Sequence, residues 1–175
     1  MTKKSSILKF EIISTIFIMV VGTLLHFTFG WSNNNSLIGT FSAVNESIWE
    51  HLKLLFFPML ISTIIGYFYK GKVIPNYLCS KVIGIILSMS FVVIFFYTYT
   101  GIIGTNFAIV DIGSFFIAVA LGQYVAYQKM KSQSSCNKLV PIIVLLVLYL
   151  SFVVFTFFPP HIALLKDPIT GMFGI

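Results

Sequence analysis

An all-α, polytopic membrane bundle of five spanning helices is the fold class that the sequence predicts, and three observations predict it. Hydrophobic residues make up 58% and charged residues 9% of the 175-residue chain, with mean hydropathy +0.98; soluble domains run at about 45–50% apolar and about 25% charged. Five apolar runs reach the roughly 20 residues that a helix needs to cross a bilayer. The net charge of +6 is carried by lysine, without arginine, and the lysines fall in alternate connectors, the pattern of the positive-inside rule. A nucleic-acid partner is therefore a poor explanation of the basic balance.

The runs are 7–29, 47–69, 82–100, 105–127 and 139–158. The first follows a lysine-bearing start but has no A-x-A-like end, so it is read as a retained helix and not a cleaved signal. Residues 30–36 form a polar, turn-rich loop without positive charge. The second run opens with the capping-box pattern Ser47-x-x-Glu50 and carries Pro58, which removes one ladder hydrogen bond. The connector 101–104 is very short. In the fourth run Ser114, Ala118, Gly122 and Ala126 form a small-residue ridge at i,i+4 spacing, which lets membrane helices approach closely. Asp111 lies within about 20° of Ala118 and Gly122 on the helical wheel and should face the bundle. Pro159-Pro160 ends the fifth run. The remainder, with the turn Asp167-Pro-Ile-Thr-Gly171, is too apolar for a solvated linker and too short to span, so residues 159–175 are expected to fold back as a C-terminal cap. No repeat or long linker divides the chain, which is read as one integral membrane domain, 1–175.

Lys3, Lys4, Lys9 and the second and fourth connectors, with Lys70, Lys72, Lys81, Lys129, Lys131 and Lys138, hold nine of the eleven lysines. This places the N-terminus and those connectors inside and the C-terminal cap outside. Cys79 and Cys136 fall in the same inner connectors, so both are expected to stay reduced and no disulfide is implied.

With that topology, His26, Glu46, Glu50, His51, Asp111 and His161 converge on the outer side. Ionisable groups at membrane depth cost about 3 kcal/mol on insertion scales and must pair, neutralise or meet water. Imidazole with carboxylate suits zinc, and His26, His51 and His161 are the candidate metal ligands. Glu46, Glu50 and Asp111 are the candidate acid/base groups; in a helix starting near Asn45, Glu46 and Glu50 share a face at i,i+4. Plainer readings stand beside these. Glu50 can serve only its capping box, Lys53 can snorkel outward, Trp31 and Trp49 can be interfacial belt residues, and Glu11 can be structural. P-loop, GxGxxG, CxxC-pair and GxSxG elements are absent, which leaves nucleotide, flavin and classical serine-hydrolase chemistry without support.

The stretch Val44-Asn-Glu-Ser-Ile-Trp-Glu-His-Leu-Lys53, with His26-Phe27, Pro159-Pro-His161 and the tail from Asp167 to Ile175, resembles an uncharacterised family of small multi-pass membrane proteins from Firmicute bacteria carrying a VNESxWEHLK motif. The resemblance covers most of the chain and implies a bacterial cell-membrane location. The scattered Ser/His/Asp set is also similar to that of alkaline-ceramidase-like membrane hydrolases, although this chain has five clear spans and lacks their paired histidines on a final helix.

Three functions fit these observations. The first is a metal-dependent hydrolase or transferase acting on a lipid-like substrate from an outward-facing His/carboxylate site. The second is a proton- or cation-coupled transporter of a small solute, against which the scarcity of polar groups in the inner half of the spans counts. The third is a non-catalytic accessory protein whose polar cluster locks helices together. The bilayer is the expected partner, with a lipid or small molecule as ligand.

Overall fold

A computed structural model of the chain describes residues 3–132 and 134–175, with side chains from residue 6 onward. Its helices are α1 (Lys3–Trp31), α2 (Ser36–Gly39), α3 (Ile48–Tyr69), α4 (Tyr77–Ile103), α5 (Ala108–Met130) and α6 (Leu139–Phe157). The described residues form no strand, only an isolated antiparallel bridge between Lys166 and Phe173. All but α2 are long and apolar enough to cross a membrane, so the five-span all-α architecture expected from composition is the one observed. Large apolar side chains such as Ile13, Ile94 and Leu139 are about two-thirds exposed on the outer surface of the bundle. A surface of that kind needs lipid against it.

Successive spans run in opposite directions, which gathers the end of α1, α2, the start of α3, the α4–α5 turn and the tail at one end of the bundle. That end is poor in lysine. The core between the ends is built from Ile18 of α1, Phe56 of α3, Ile85 of α4, Ala118 and Val119 of α5 and Phe152 of α6, all without exposed surface.

The small-residue ridge of α5 packs as its spacing predicts. Ser114, Ala118, Gly122 and Ala126 are buried, and a Cβ on Gly122 would lie 2.5 Å from the carbonyl oxygen of Gly84 on α4. Ser88 Oγ donates to the Ala118 carbonyl at 2.7 Å across the same seam. Close backbone approach is what small residues provide where apolar burial gives no net drive between membrane helices.

Several expectations are corrected. Helix α4 starts at Tyr77, five residues ahead of the apolar run, because Lys81 is not a solvated connector residue. It is 1% exposed, with Nζ donating to Glu11 Oε2 at 2.5 Å and to Gln123 Oε1 at 3.1 Å. Helix α5 starts at Ala108 and not at 105, after Gly104 turns the chain in the left-handed region (φ +86°). Trp49, half-buried in the first turn of α3, is also a packing residue. Its ring packs on Phe152 and Phe155 of α6, with centroids 4.6 and 5.5 Å away. Cys79 and Cys136, expected to stay reduced, are brought next to each other, with Cα atoms 6.4 Å apart. Asn76 draws the two segments together, donating to the Lys129 carbonyl at 2.7 Å and to Ser132 Oγ at 3.3 Å. Sequence separation alone could not show that approach.

Candidate functional site

The segment from Ser42 to Lys53 links the ends of α1, α3 and α6. Ser42 Oγ donates to the Leu25 carbonyl at 2.5 Å and accepts from the Phe29 amide at 3.1 Å, which holds the loop against the last turns of α1. Asn45 Nδ2 donates to the Gly174 carbonyl at 3.0 Å, and the Ile175 amide donates to the Thr156 carbonyl at 3.1 Å, so the tail is fixed over the same end. Ser47 is the N-cap of α3, its hydroxyl accepting from the Glu50 amide at 3.3 Å. This start leaves Glu46 outside the helix. Glu46 and Glu50 therefore do not share a helical face, contrary to the i,i+4 reading.

Glu50 and Lys53 point into the protein. Lys53 is fully buried and does not snorkel; its ammonium is surrounded by Glu50 Oε2 at 2.6 Å, the Gly39 carbonyl at 2.9 Å, the Ser42 carbonyl at 3.4 Å and Thr156 Oγ1. Glu50 Oε2 also accepts from the Val44 amide at 3.0 Å. The reciprocal half of the capping box is absent because the Ser47 amide is taken by Asn45 Oδ1 at 2.9 Å. Every strong donor here has a partner, so this is a closed node joining three segments.

His51, the next residue after Glu50, points the other way. Its Nε2 lies 3.4 Å from Glu46 Oε2, while His26 Nε2 of α1 lies 3.8 Å from Glu46 Oε1. The two imidazoles stand face to face at an angle, with centroids 5.2 Å apart. One candidate ligand atom from each of His26, Glu46 and His51 lies within 4.8 Å of the others. His51 Nδ1 is 2.9 Å from the Ser47 carbonyl, which can only accept, so Nδ1 carries a proton. Nε2 then meets the Glu46 carboxylate either as the second N–H of an imidazolium, which donates to it, or, in the neutral ring, as a lone pair that leaves a place for a cation between the two acceptors. The His51 imidazole beside Glu46 is the main influence holding the Glu46 carboxyl below the usual carboxylate range, against the opposing effect of its partial burial.

The cluster lines a cavity of about 460 Å³, within the range of roughly 300–1,000 Å³ typical of small-molecule sites. Asp111 lines it too. Standing in the first turn of α5, where a helix favours negative charge, it accepts from Tyr99 Oη and from Asn106 Nδ2 at 2.9 Å. These two donors fix the carboxylate while its residue still borders the cavity.

Of the six residues singled out from the sequence, His26, Glu46, His51 and Asp111 thus come together around one cavity. Glu50 lies in the closed node behind it. His161 lies apart in the tail, exposed, with its ring 4.6 Å from that of Phe173. The pairing of Glu46 with both histidines was not anticipated, although its position just before the Ser47 cap was the available signal. The Glu11–Lys81–Gln123 node was also missed, and only tertiary approach of α1, α4 and α5 creates it.

A family model described as a family of unknown function, DUF6512, matches residues 1–175. The chain belongs to that family. No curated protein and no solved structure matches it.

Proposed function

We propose that this membrane protein is a metal-dependent hydrolase or transferase acting on a lipid-like substrate, with His26, Glu46 and His51 holding a zinc-type divalent ion. The observation that carries the reading is the orientation of both Nε2 atoms toward the two oxygens of one carboxylate. Two imidazoles and a carboxylate are a donor set that zinc accepts while keeping a position open. The His51 Nδ1 contact to the Ser47 carbonyl is the tether that metal-bound histidines commonly make. His26 Nδ1, by contrast, is enclosed and without a partner among the described residues.

An ion held there would supply Lewis acidity toward a carbonyl or phosphoryl oxygen and would acidify a water molecule. Asp111 is suited to take the proton that water loses as its oxygen bonds to the acyl or phosphoryl centre. It would return that proton to the leaving oxygen as the second bond breaks. Tyr99 and Asn106 keep the carboxylate in place between the two transfers. The lysine-rich end is assigned to the cytoplasm of a bacterial cell, which makes the cavity outward-facing.

Elemental analysis of the purified protein tests the reading. About one zinc-type ion per chain is expected in the wild type and close to none in His51→Ala; a wild type free of stoichiometric metal, or a variant with unchanged content, overturns it.

A coupled transporter is the second reading, favoured by the buried Glu11–Lys81–Gln123 node, which supplies polar groups in the half of the bundle where the sequence offered few. Proton-coupled flux in liposomes that is abolished by both Glu11→Gln and Asp111→Asn would support it, and flux indifferent to both would remove it.

A further inference from the structure

The walls of the cavity differ by direction. Gly22, Leu54 and Phe115 close its floor: a Cβ on Gly22 would lie 2.6 Å from the Phe115 ring, so α1, α3 and α5 meet there without a gap. Pro168 and Ile169, part of the tail fixed through Asn45 and Thr156, border it at the lysine-poor end. Leu55, Val92 and Phe96 line its back on α3 and α4. The side toward α1 and α5 is different. Thr23, Phe27 and Ile112 border the cavity and are at the same time exposed on the outside of the bundle, Phe27 by 48% and Ile112 by 55%. Around them lie Leu24, Ile109 and Ile117, exposed by 47%, 83% and 57%. Apolar exposure of that extent on spanning helices belongs against hydrocarbon.

From this we infer that the cavity takes its ligand sideways from the bilayer, between α1 and α5 above that floor, and that the ligand is an uncharged acyl lipid with an ester or amide carbonyl. The inference rests on the cavity being the site proposed above. The acyl chain lies along Thr23, Phe27 and Ile112, and the carbonyl region lies at Glu46, His51 and Asp111. The charge of the lining selects the head. Its titratable groups are His26, Glu46, His51 and Asp111, with no lysine, and the chain has no arginine. An ion at His26, Glu46 and His51 would offset the two carboxylates and leave no excess positive charge to hold an anionic head.

The test uses the full chain in phosphatidylcholine nanodiscs doped with a diacylglycerol that carries a diazirine on one acyl chain near the carbonyl. After irradiation, adducts are mapped by mass spectrometry. The informative positions are Leu55, 1% exposed, and Phe96 on the back wall. The expected result is labelling of both, suppressed about tenfold in Thr23→Trp/Ile112→Trp, a loss corresponding to roughly 1.4 kcal/mol of affinity. Labelling of Leu146, 53% exposed on α6, should not change. A wild type with an unlabelled back wall overturns the inference, as does back-wall labelling that the double variant leaves intact. Equal labelling of the wild-type back wall by a water-soluble diazirine also overturns it, and this comparison requires no variant to fold. Metal content of the same samples separates the two readings: metal without back-wall lipid leaves the metal site standing and removes bilayer access, whereas lipid without metal does the reverse.

Discussion

Glu50 and His51 are neighbours in sequence and belong to opposite kinds of site. Glu50 faces inward to Lys53, where burial is complete and the ammonium meets four oxygens from three parts of the chain. His51 faces the cavity, where Glu46 stands between two imidazoles, its side chain 44% exposed, and Asp111 borders the same space. Both regions hold charge at the end of a membrane bundle. The first has satisfied its charges with partners; the second turns two imidazole nitrogens toward one carboxylate beside open volume. Concentration of titratable residues is thus a poor guide to a site by itself. What separates the two is whether the groups are already satisfied.

Substitutions can break this contrast. The largest effect is expected from Lys53→Ala and Glu50→Ala, each of which leaves an uncompensated buried charge and should cost about 3–5 kcal/mol of stability. Thermal melts in detergent would measure it, and the double change Glu50→Leu/Lys53→Met should lose less than either single one, because it leaves no charge unpaired even though the Val44 amide and the Gly39 carbonyl lose their partners. Breaking the other buried pair, with Glu11→Ala or Lys81→Ala, should cost about the same by the same argument. At the helix seam, Gly122→Val forces α4 and α5 apart and should cost about 1–3 kcal/mol, the usual penalty of overpacking. In the open region the expected stability effect is smallest. Glu46→Gln should shift the melt only slightly while removing metal.

The pH dependence of that last comparison has a definite sign. Because the folded-state carboxyl of Glu46 titrates below its ordinary value of 4.5, its contribution is present above that unfolded value and is lost as pH falls through the lowered folded one. Glu46→Gln should therefore differ from wild type at neutral pH and converge with it on acidification. A difference that widens toward low pH would contradict the pairing.

Much of the architecture was legible because it follows from composition. Span length and the Ser114–Ala118–Gly122–Ala126 ridge each express a requirement of the bilayer or of close helix approach, and each can be read one element at a time. The Ser47 cap was readable for the same reason. What could not be read depends on two segments meeting. Lys53 and Lys81 look like interfacial lysines until a carboxylate from elsewhere is brought to them. Cys79 and Cys136 become neighbours only in the fold, where Asn76 ties the start of α4 to the end of α5. The role of Glu46 turned on two residues of helix boundary, since a helix that included it would have carried it round to the face of Glu50.

The most direct test of the account is a zinc competition titration comparing Glu46→Gln with Glu50→Gln, each measured on its folded fraction. The account predicts that Glu46→Gln weakens zinc binding by about 100-fold or more, beyond the 10–100-fold typical of losing an indirect contact, while Glu50→Gln leaves the affinity of the folded protein close to wild type. Equal affinities in the two variants, or a larger loss in Glu50→Gln, would contradict it.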